Sequence, residues 1–275
     1  MSSKTAVTTL RLTKHHGAGN DFLVLVDRDG SSPIDAELAR ALCDRRYGVG
    51  ADGVIRVLAG RNGADLAMEL RNADGGAAEM SGNGVRCLAQ AAVDAGLVEG
   101  PVFTVDTDAG VRIVEYHDGT DAASVDMGAV AIGDESAAGV GEHRALEVDV
   151  GNPHLVLRID DPSTVDVEAT GRRLQERYAD GLNVEFVTAG PGPHALTLRV
   201  FERGVGETLA CGTGSVAAAA AMRHWGEVGE RVEVHSPGGE LVVLFDADRA
   251  RLSGPVRKVA DLVVDPRAVL AAART

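Results

Sequence analysis

The spacing of apolar positions changes along the chain, and the changes mark the elements. Residues 10–16 (LRLTKHH) and 22–27 (FLVLVD) carry aliphatic side chains at strand spacing, joined by Gly-Ala-Gly-Asn, and predict a strand pair. Ser32-Pro33-Ile34-Asp35 opens a helix over 35–46, which Tyr47-Gly48-Val49-Gly50 ends. Extended segments follow over 53–59 (GVIRVLA) and 65–71. A helix is expected over 83–95, with Gly96 in the C′ position that stops helices. Short strands at 103–105, 111–116 and 123–125 have turn residues between them. Residues 131–142 are rich in Gly and Ala with little periodicity, which reads as a junction between domains. The alternation then resumes. Strands are expected at 145–150, 154–159, 184–187, 195–201, 231–235 and 240–245, with helices near 165–177, 214–224 and 266–273.

Two of these helices open alike. AEMSGNGVRCLAQAAV (78–93) places Ser81 before a Gly-x-Gly turn, and LACGTGSVAAAAAM (209–222) places Cys211 there. The landmarks around them repeat in order. Asn152 follows Asn20 by 152−20=132, Arg203 follows Asn72 by 203−72=131, and Cys211 follows Ser81 by 211−81=130. A nearly constant offset predicts duplication of one α+β unit. The units are placed at 1–130, rejoined by the C-terminal helix 264–275, and at 131–263.

Composition narrows the classes. The 275 residues suit one large domain or two of ordinary size. Hydrophobic residues make up 45% but aromatics only 3%, so the core must be mostly Val, Leu, Ile and Ala. A net charge of −14 and a pI near 5.0 lack the basic footprint of nucleic-acid binding, and an anionic membrane surface would repel the chain. No run approaches the roughly 18 apolar residues of a membrane helix, and no signal-peptide core is expected at the start. Cys43, Cys87 and Cys211 have no paired spacing, so neither a disulfide framework nor a zinc site is expected. A reduced, cytoplasmic protein follows.

A helix start has unpaired N–H groups and partial positive charge, so each turn is a carboxylate or phosphate holder. Neither turn is a P-loop, and neither GVGADG (48–53) nor GAGN has the dinucleotide-binding spacing. Helix starts depress thiol pKa values, and no Asp or Glu stands in the turn at Cys211, so a thiolate is expected there. Cys43 and Cys87 read as small buried hydrophobes. If the halves pack about a pseudo-twofold axis, the two turns grip one carboxylate. Ser81 and Cys211 then flank its α-carbon from opposite faces. Proton removal on one side and delivery on the other is racemisation or epimerisation. The helix ends would stabilise the enediolate charge. No motif suggests a pyridoxal cofactor.

HGAGNDF (16–22), RNADGGAAEMSGNGVRC (71–87), VGNPH (150–154), GLNVEF (181–186) and ERGVGETLACGTG (202–214) together resemble diaminopimelate epimerase. The resemblance implies an α+β fold of two pseudo-symmetric domains, each a mostly antiparallel sheet wrapped around a central helix, with the site in the cleft between them. It implies a cofactor-independent enzyme without a metal. That enzyme interconverts L,L- and meso-diaminopimelate for lysine and peptidoglycan precursors, and the family often forms homodimers. By position, Cys211 is one catalytic acid/base and Ser81 stands where the family has its other cysteine. Gly82, Asn83, Gly212 and Thr213 fall at helix-start contacts to the substrate. Asn20, Asn72, Asn152, Asn183, Glu202 and Arg203 fall at side-chain contacts, and His154 and Glu202 match the residues that tune the thiols. The chemistry agrees: Arg203 suits a distal carboxylate, Glu202 an ammonium, and the asparagines both donate and accept.

Two departures stand out. Gly53 stands where many members have a substrate-contacting glutamine, and Ser81 is far less acidic than a thiol. Ser81 is compatible with an epimerase in which His154 or a water assists it, natural or engineered. It is also compatible with a single-thiol dehydratase or isomerase on the same scaffold, or with a non-catalytic diamino-acid-binding protein.

Overall fold

The structure, a computed structural model, describes residues 9–135, 143–178 and 181–273. The first half runs β1 (Leu10–Gly17), β2 (Asn20–Val26), α1 (Ala36–Cys43), β3 (Gly53–Ala59), β4 (Leu66–Asn72), β5 (Ala77–Ala78), α2 (Gly82–Asp94), β6 (Val102–Thr107), β7 (Gly110–His117) and β8 (Ala122–Ala129). The second runs β9 (Ala131–Glu135), β10 (Arg144–Asp149), β11 (Pro153–Arg158), α3 (Val167–Gln175), β12 (Asn183–Ala189), β13 (Ala195–Glu202), β14 (Gly206–Thr208), α4 (Gly212–His224), β15 (Arg231–Ser236), β16 (Gly239–Asp246) and β17 (Arg249–Pro255). β18 (Arg257–Val264) and α5 (Pro266–Ala272) then return to the first half. β18 pairs antiparallel with β1, and Val269 and Leu270 of α5 pack on a core that includes Leu38 and Leu42 of α1.

Strand pairing repeats between the halves residue by residue. On β3 and β4, Val54 pairs with Arg71 and Ile55 with Leu70. On β12 and β13, Val184 pairs with Phe201 and Glu185 with Val200, each 130 positions later (184−54, 201−71). β2 lies parallel to β3 with Phe22 against Gly53, as β11 lies parallel to β12 with His154 against Asn183. Antiparallel pairing of β8 with β17 joins the halves into one ribbon, 18-stranded among the described residues and curled twice.

Each curl encloses a helix. Within α2, every residue from Gly82 to Ala92 is buried, and α4 is buried almost without break from Gly212 to Met222. α4, apolar on nearly all sides, belongs inside a core, and α2 is buried there with its few polar side chains. The Ala-rich middle of α4 lets strands approach closely, and Val85, Leu88 and Val216 join the strands in one cluster. Truncating a side chain such as Leu88, 0% exposed, removes roughly 2–5 kcal/mol by lost transfer and cavity terms. Among the described residues, no helix is long and apolar enough to cross a membrane.

The structure departs from the sequence reading in places. The junction expected at 131–142 opens with strand β9, all five residues exposed, paired to β10; residues 136–142 lie outside the described residues. Edge pairing needs no buried face, so β9 left no alternation to find. β17 and β18 were not anticipated. β18 keeps most of its residues accessible, so its apolar positions looked sporadic.

Candidate active site

The two helix starts meet end to end. Ser81 caps α2 from an extended conformation, its Oγ accepting from the Gly84 N–H at 3.1 Å. Cys211 caps α4 in the same way, its Sγ accepting from the Gly214 N–H at 3.3 Å. A Cβ on Gly212 would lie 3.1 Å from Gly82 Cα and 3.1 Å from the Leu252 side chain, so glycines are what let the helices approach this closely. The junction forms the floor of a cavity of about 390 Å³. Asn20, Asn72, Ser81, Gly82 and Asn83 line it from the first half; Asn152, Asn183, Glu202, Arg203, Cys211, Gly212 and Thr213 line it from the second. His154 is not on the wall. It lies behind it, 1% exposed.

The first half fixes its side of the cavity with a charge relay on the outside. Asn20 donates to Asp52 at 2.7 Å, Arg45 holds both Asp52 and Asp21 at 2.7 Å, and Lys14 lies 2.8 Å from Asp21. Burial works against the Asp21 carboxylate, but hydrogen bonds from Arg45 and Lys14, with their charges, bring its pKa down to about 2. Asn83 ties the halves together, donating to Asn20 Oδ1 and to the Ala210 carbonyl at 3.2 Å each. Arg86 donates to Asn83 Oδ1 at 2.7 Å and to the Gly82 carbonyl at 3.2 Å. The Asn83 side chain is thus committed to protein contacts, which leaves the backbone N–H groups of the helix start for a ligand. Arg86 is 0% exposed, with no acidic partner within ion-pair distance among the described residues; burial lowers its pKa to about 10, so it stays charged at neutral pH.

The second half is acidic. Cys211, 6% exposed, approaches Thr213 Oγ1 at 3.4 Å and feels the charge of the Glu202 carboxylate, which accepts from Thr208 Oγ1. Behind them His154 Nδ1 lies 2.7 Å from Glu185 Oε1, and His154 Nε2 lies 3.1 Å from Asn152 Oδ1. Asn183 accepts from the Arg203 N–H at 2.9 Å, which sets the loop carrying Arg203.

The thiolate expected at Cys211 is overturned. Burial and the neighbouring charge of Glu202, with Glu185 adding to it, push the thiol well above its ordinary pKa. The Gly214 N–H and the Thr213 hydroxyl pull the other way and lose. Burial also raises Glu202 and Glu185, against the opposing hydrogen bond from Thr208 to the first and the contact with His154 on the second. The resting Cys211 thiol therefore keeps its proton. Burial pushes Cys43 and Cys87 up to about 12, which suits the inert role expected of them.

Two further expectations change. Register sets Asn72 against Glu202, 130 positions on (202−72), and not against Arg203; each is the last residue of its strand, β4 or β13. At Gly53 a Cβ would lie 2.8 Å from the Arg71 carbonyl oxygen and 3.2 Å from the Phe22 ring. No glutamine fits there in this backbone, and Asp52 and Asp74 line that part of the wall. The sequence reading missed Glu185, Thr208, Asp52 and Arg86. Glu185 carried a usable signal: a carboxylate inside the uniformly buried run 183–187 needs a partner. Among the described residues, no three His, Cys, Asp or Glu side chains gather as metal ligands.

Comparison with known proteins agrees with this geometry. The diaminopimelate epimerase family model matches residues 12–132 and 146–259. A diaminopimelate epimerase of Thermobifida fusca (strain YX) is 43% identical over 270 residues, covering 92% of this chain and 97% of that protein. A probable proline racemase from Agrobacterium radiobacter K84 superimposes with a TM-score of 0.73 at 20% identity, covering 94% of this chain and 95% of that one. A PhzF-family phenazine biosynthesis protein from Bacillus anthracis gives 0.72 at 16% identity, covering 94% and 99%. At those identities the two solved structures speak to fold alone.

Proposed function

The chain belongs to the diaminopimelate epimerase family, and on that premise we propose that it interconverts L,L- and meso-diaminopimelate, moving the α-proton between Cys211 and the face of Ser81. The observation that carries this reading is the end-to-end meeting of two helix starts on one cavity, one capped by a thiol and the other by a hydroxyl. The substrate α-carboxylate takes the backbone N–H groups of both helix starts, with the buried charge of Arg86 behind it. The distal carboxylate takes Arg203, whose guanidinium can bind it bidentately. Glu202 receives the thiol proton as the α-ammonium enters beside it. The resulting thiolate removes the α-proton, and the helix ends hold the enediolate charge. In the reverse direction the Cys211 thiol delivers the proton. Ser81 supplies the opposite face through its hydroxyl or a water held by it.

One observation favours a second reading, a single-thiol isomerase. The side chains at the positions behind Ser81 are Phe22 and Ile55, neither of which takes up a proton. Proton NMR of L,L-diaminopimelate with the protein in D2O separates the two. α-Proton loss together with meso product supports epimerisation. Loss of the α-proton without inversion supports the single-thiol reading, and no exchange at all overturns both.

A further inference from the structure

Behind Cys211 the fold buries a carboxylate that the reaction outlined above does not use. Glu185 is 0% exposed, its Oε1 meets His154 Nδ1 at 2.7 Å, and its Oε2 has no hydrogen-bond partner among the described residues. It lies against the helix start. A Cβ on Gly214 would be 2.8 Å from Glu185 Oε1 and 3.4 Å from Cys211 Sγ. The other half shows what the fold alone requires at these positions. A Cβ on Gly84, the matching residue, would be 3.2 Å from Ile55 Cδ1 and 3.4 Å from Ser81 Oγ. Ile55 matches Glu185, and Phe22 matches His154, in the same strand register. An apolar pair fills the site without leaving a carboxylate oxygen unpaired in the interior, which is costly. The packing thus gives no reason for Glu185.

We propose that Glu185 is a positioning residue for the reaction: it holds His154 through Nδ1, turns Nε2 onto Asn152 at the cavity wall, and sets proton occupancy at Cys211. The groups facing Glu185 are His154 from β11, Glu202 from β13 and Cys211 from the start of α4. Its negative charge adds to that of Glu202 in holding the proton on the thiol, while His154 favours the ionised form of both carboxylates. The contact with Asn152 carries the state of the pair to a residue on the cavity wall. This inference rests on the proposed reading of Cys211 as the proton-transferring group.

The test is Glu185→Gln, which keeps the shape and removes the charge, assayed for α-proton exchange and inversion across pH. We expect kcat to fall roughly tenfold or more with KM little changed, because His154 loses the carboxylate that positions it while the substrate contacts remain. The limb governed by Cys211 should also move to lower pH, since the thiol loses a neighbouring negative charge. A lowered kcat with an unmoved limb, or an unchanged kcat, would overturn the proposal. The paired variant His154→Phe/Glu185→Ile copies the side chains already present behind Ser81 and guards against misfolding. It should keep or raise Tm while losing exchange at the Cys211 face; full exchange in this variant would overturn the proposal as well. Wild-type protein is the control. If it shows no α-proton exchange, the underlying assignment fails and not the role of Glu185.

Discussion

At Ser81 and at Cys211 the backbone does the same thing: an extended residue caps a buried helix and accepts from the N–H three positions on. The strands behind them pair in the same register. The side chains differ. Moving from the first half to the second, Ser81 becomes Cys211, Phe22 becomes His154, Ile55 becomes Glu185, Asn72 becomes Glu202 and Ala78 becomes Thr208. Arg86 runs the other way and becomes Val216. Around the two caps the backbone is shared, and the differences gather in the side chains that face the cavity or lie just behind it. The second half holds ionisable acids around a thiol. The first holds one buried cation behind a hydroxyl. A carboxylate-bearing, ammonium-bearing α-carbon placed between them meets complementary charge on each side.

The largest effect should come from removing the thiol. Cys211→Ala should lower both exchange and inversion by about a thousandfold or more, the scale of a lost acid/base group. The cap it also loses costs only about 1 kcal/mol, so the protein should remain folded by thermal melting. Turnover within tenfold of wild type would show that the two helix starts do not differ in the way described. Next in size are changes at Ser81. Ser81→Ala should cut inversion roughly 10- to 100-fold yet leave exchange from the Cys211 face, and Ser81→Cys should raise inversion. Equal loss of exchange and inversion in Ser81→Ala would mean that the two faces do not act independently.

How much of this was legible follows the same division. The helix starts, their caps and the order of the asparagines could be read from the sequence because they are local: Gly, Ser and Asn announce turns through their own backbone preferences. The state of Cys211 could not. The helix start argues for a thiolate, whereas Glu202 and Glu185 arrive on β13 and β12, brought there by sheet pairing. Motif spacing sets Asn72 against Arg203, one position from the Glu202 that strand register puts there, because spacing carries no information on which residues pair across strands. Arg86 was overlooked because an Arg within an apolar helix is ordinarily expected to reach solvent.

Arg86 gives a smaller, more selective test. Arg86→Met removes the buried cation from the first half and leaves the second untouched. The loss of two hydrogen bonds is offset by no longer burying a charge, so stability should change little. Weaker hold on the α-carboxylate should raise KM about tenfold, near 1.4 kcal/mol, with a smaller effect on kcat. A kcat loss with KM unchanged would place Arg86 with the chemistry and blur the contrast between the halves.

The smallest effect separates the charges that support the fold from those that support the reaction. Asp21 anchors Lys14 and Arg45 on the first half, and its folded pKa of about 2 lies below its ordinary value of 3.8. A lowered folded pKa contributes stability that is present above the ordinary value and is lost as pH falls toward the folded one. Discounted for partial exposure, that contribution is about 1 kcal/mol. Asp21→Asn should therefore lower Tm by a few degrees at pH 7, and the gap to wild type should close between about pH 4 and pH 2. Glu202 and Glu185 are raised by burial, so they take up protons first as pH falls, while Asp21 is still ionised. The acid limb of activity then belongs to the second half, and Asp21→Asn should leave it in place. If Asp21→Asn moved that limb, the outer charges of the first half would be coupled to proton transfer at Cys211, and the assignment of rate to one half and support to the other would fail.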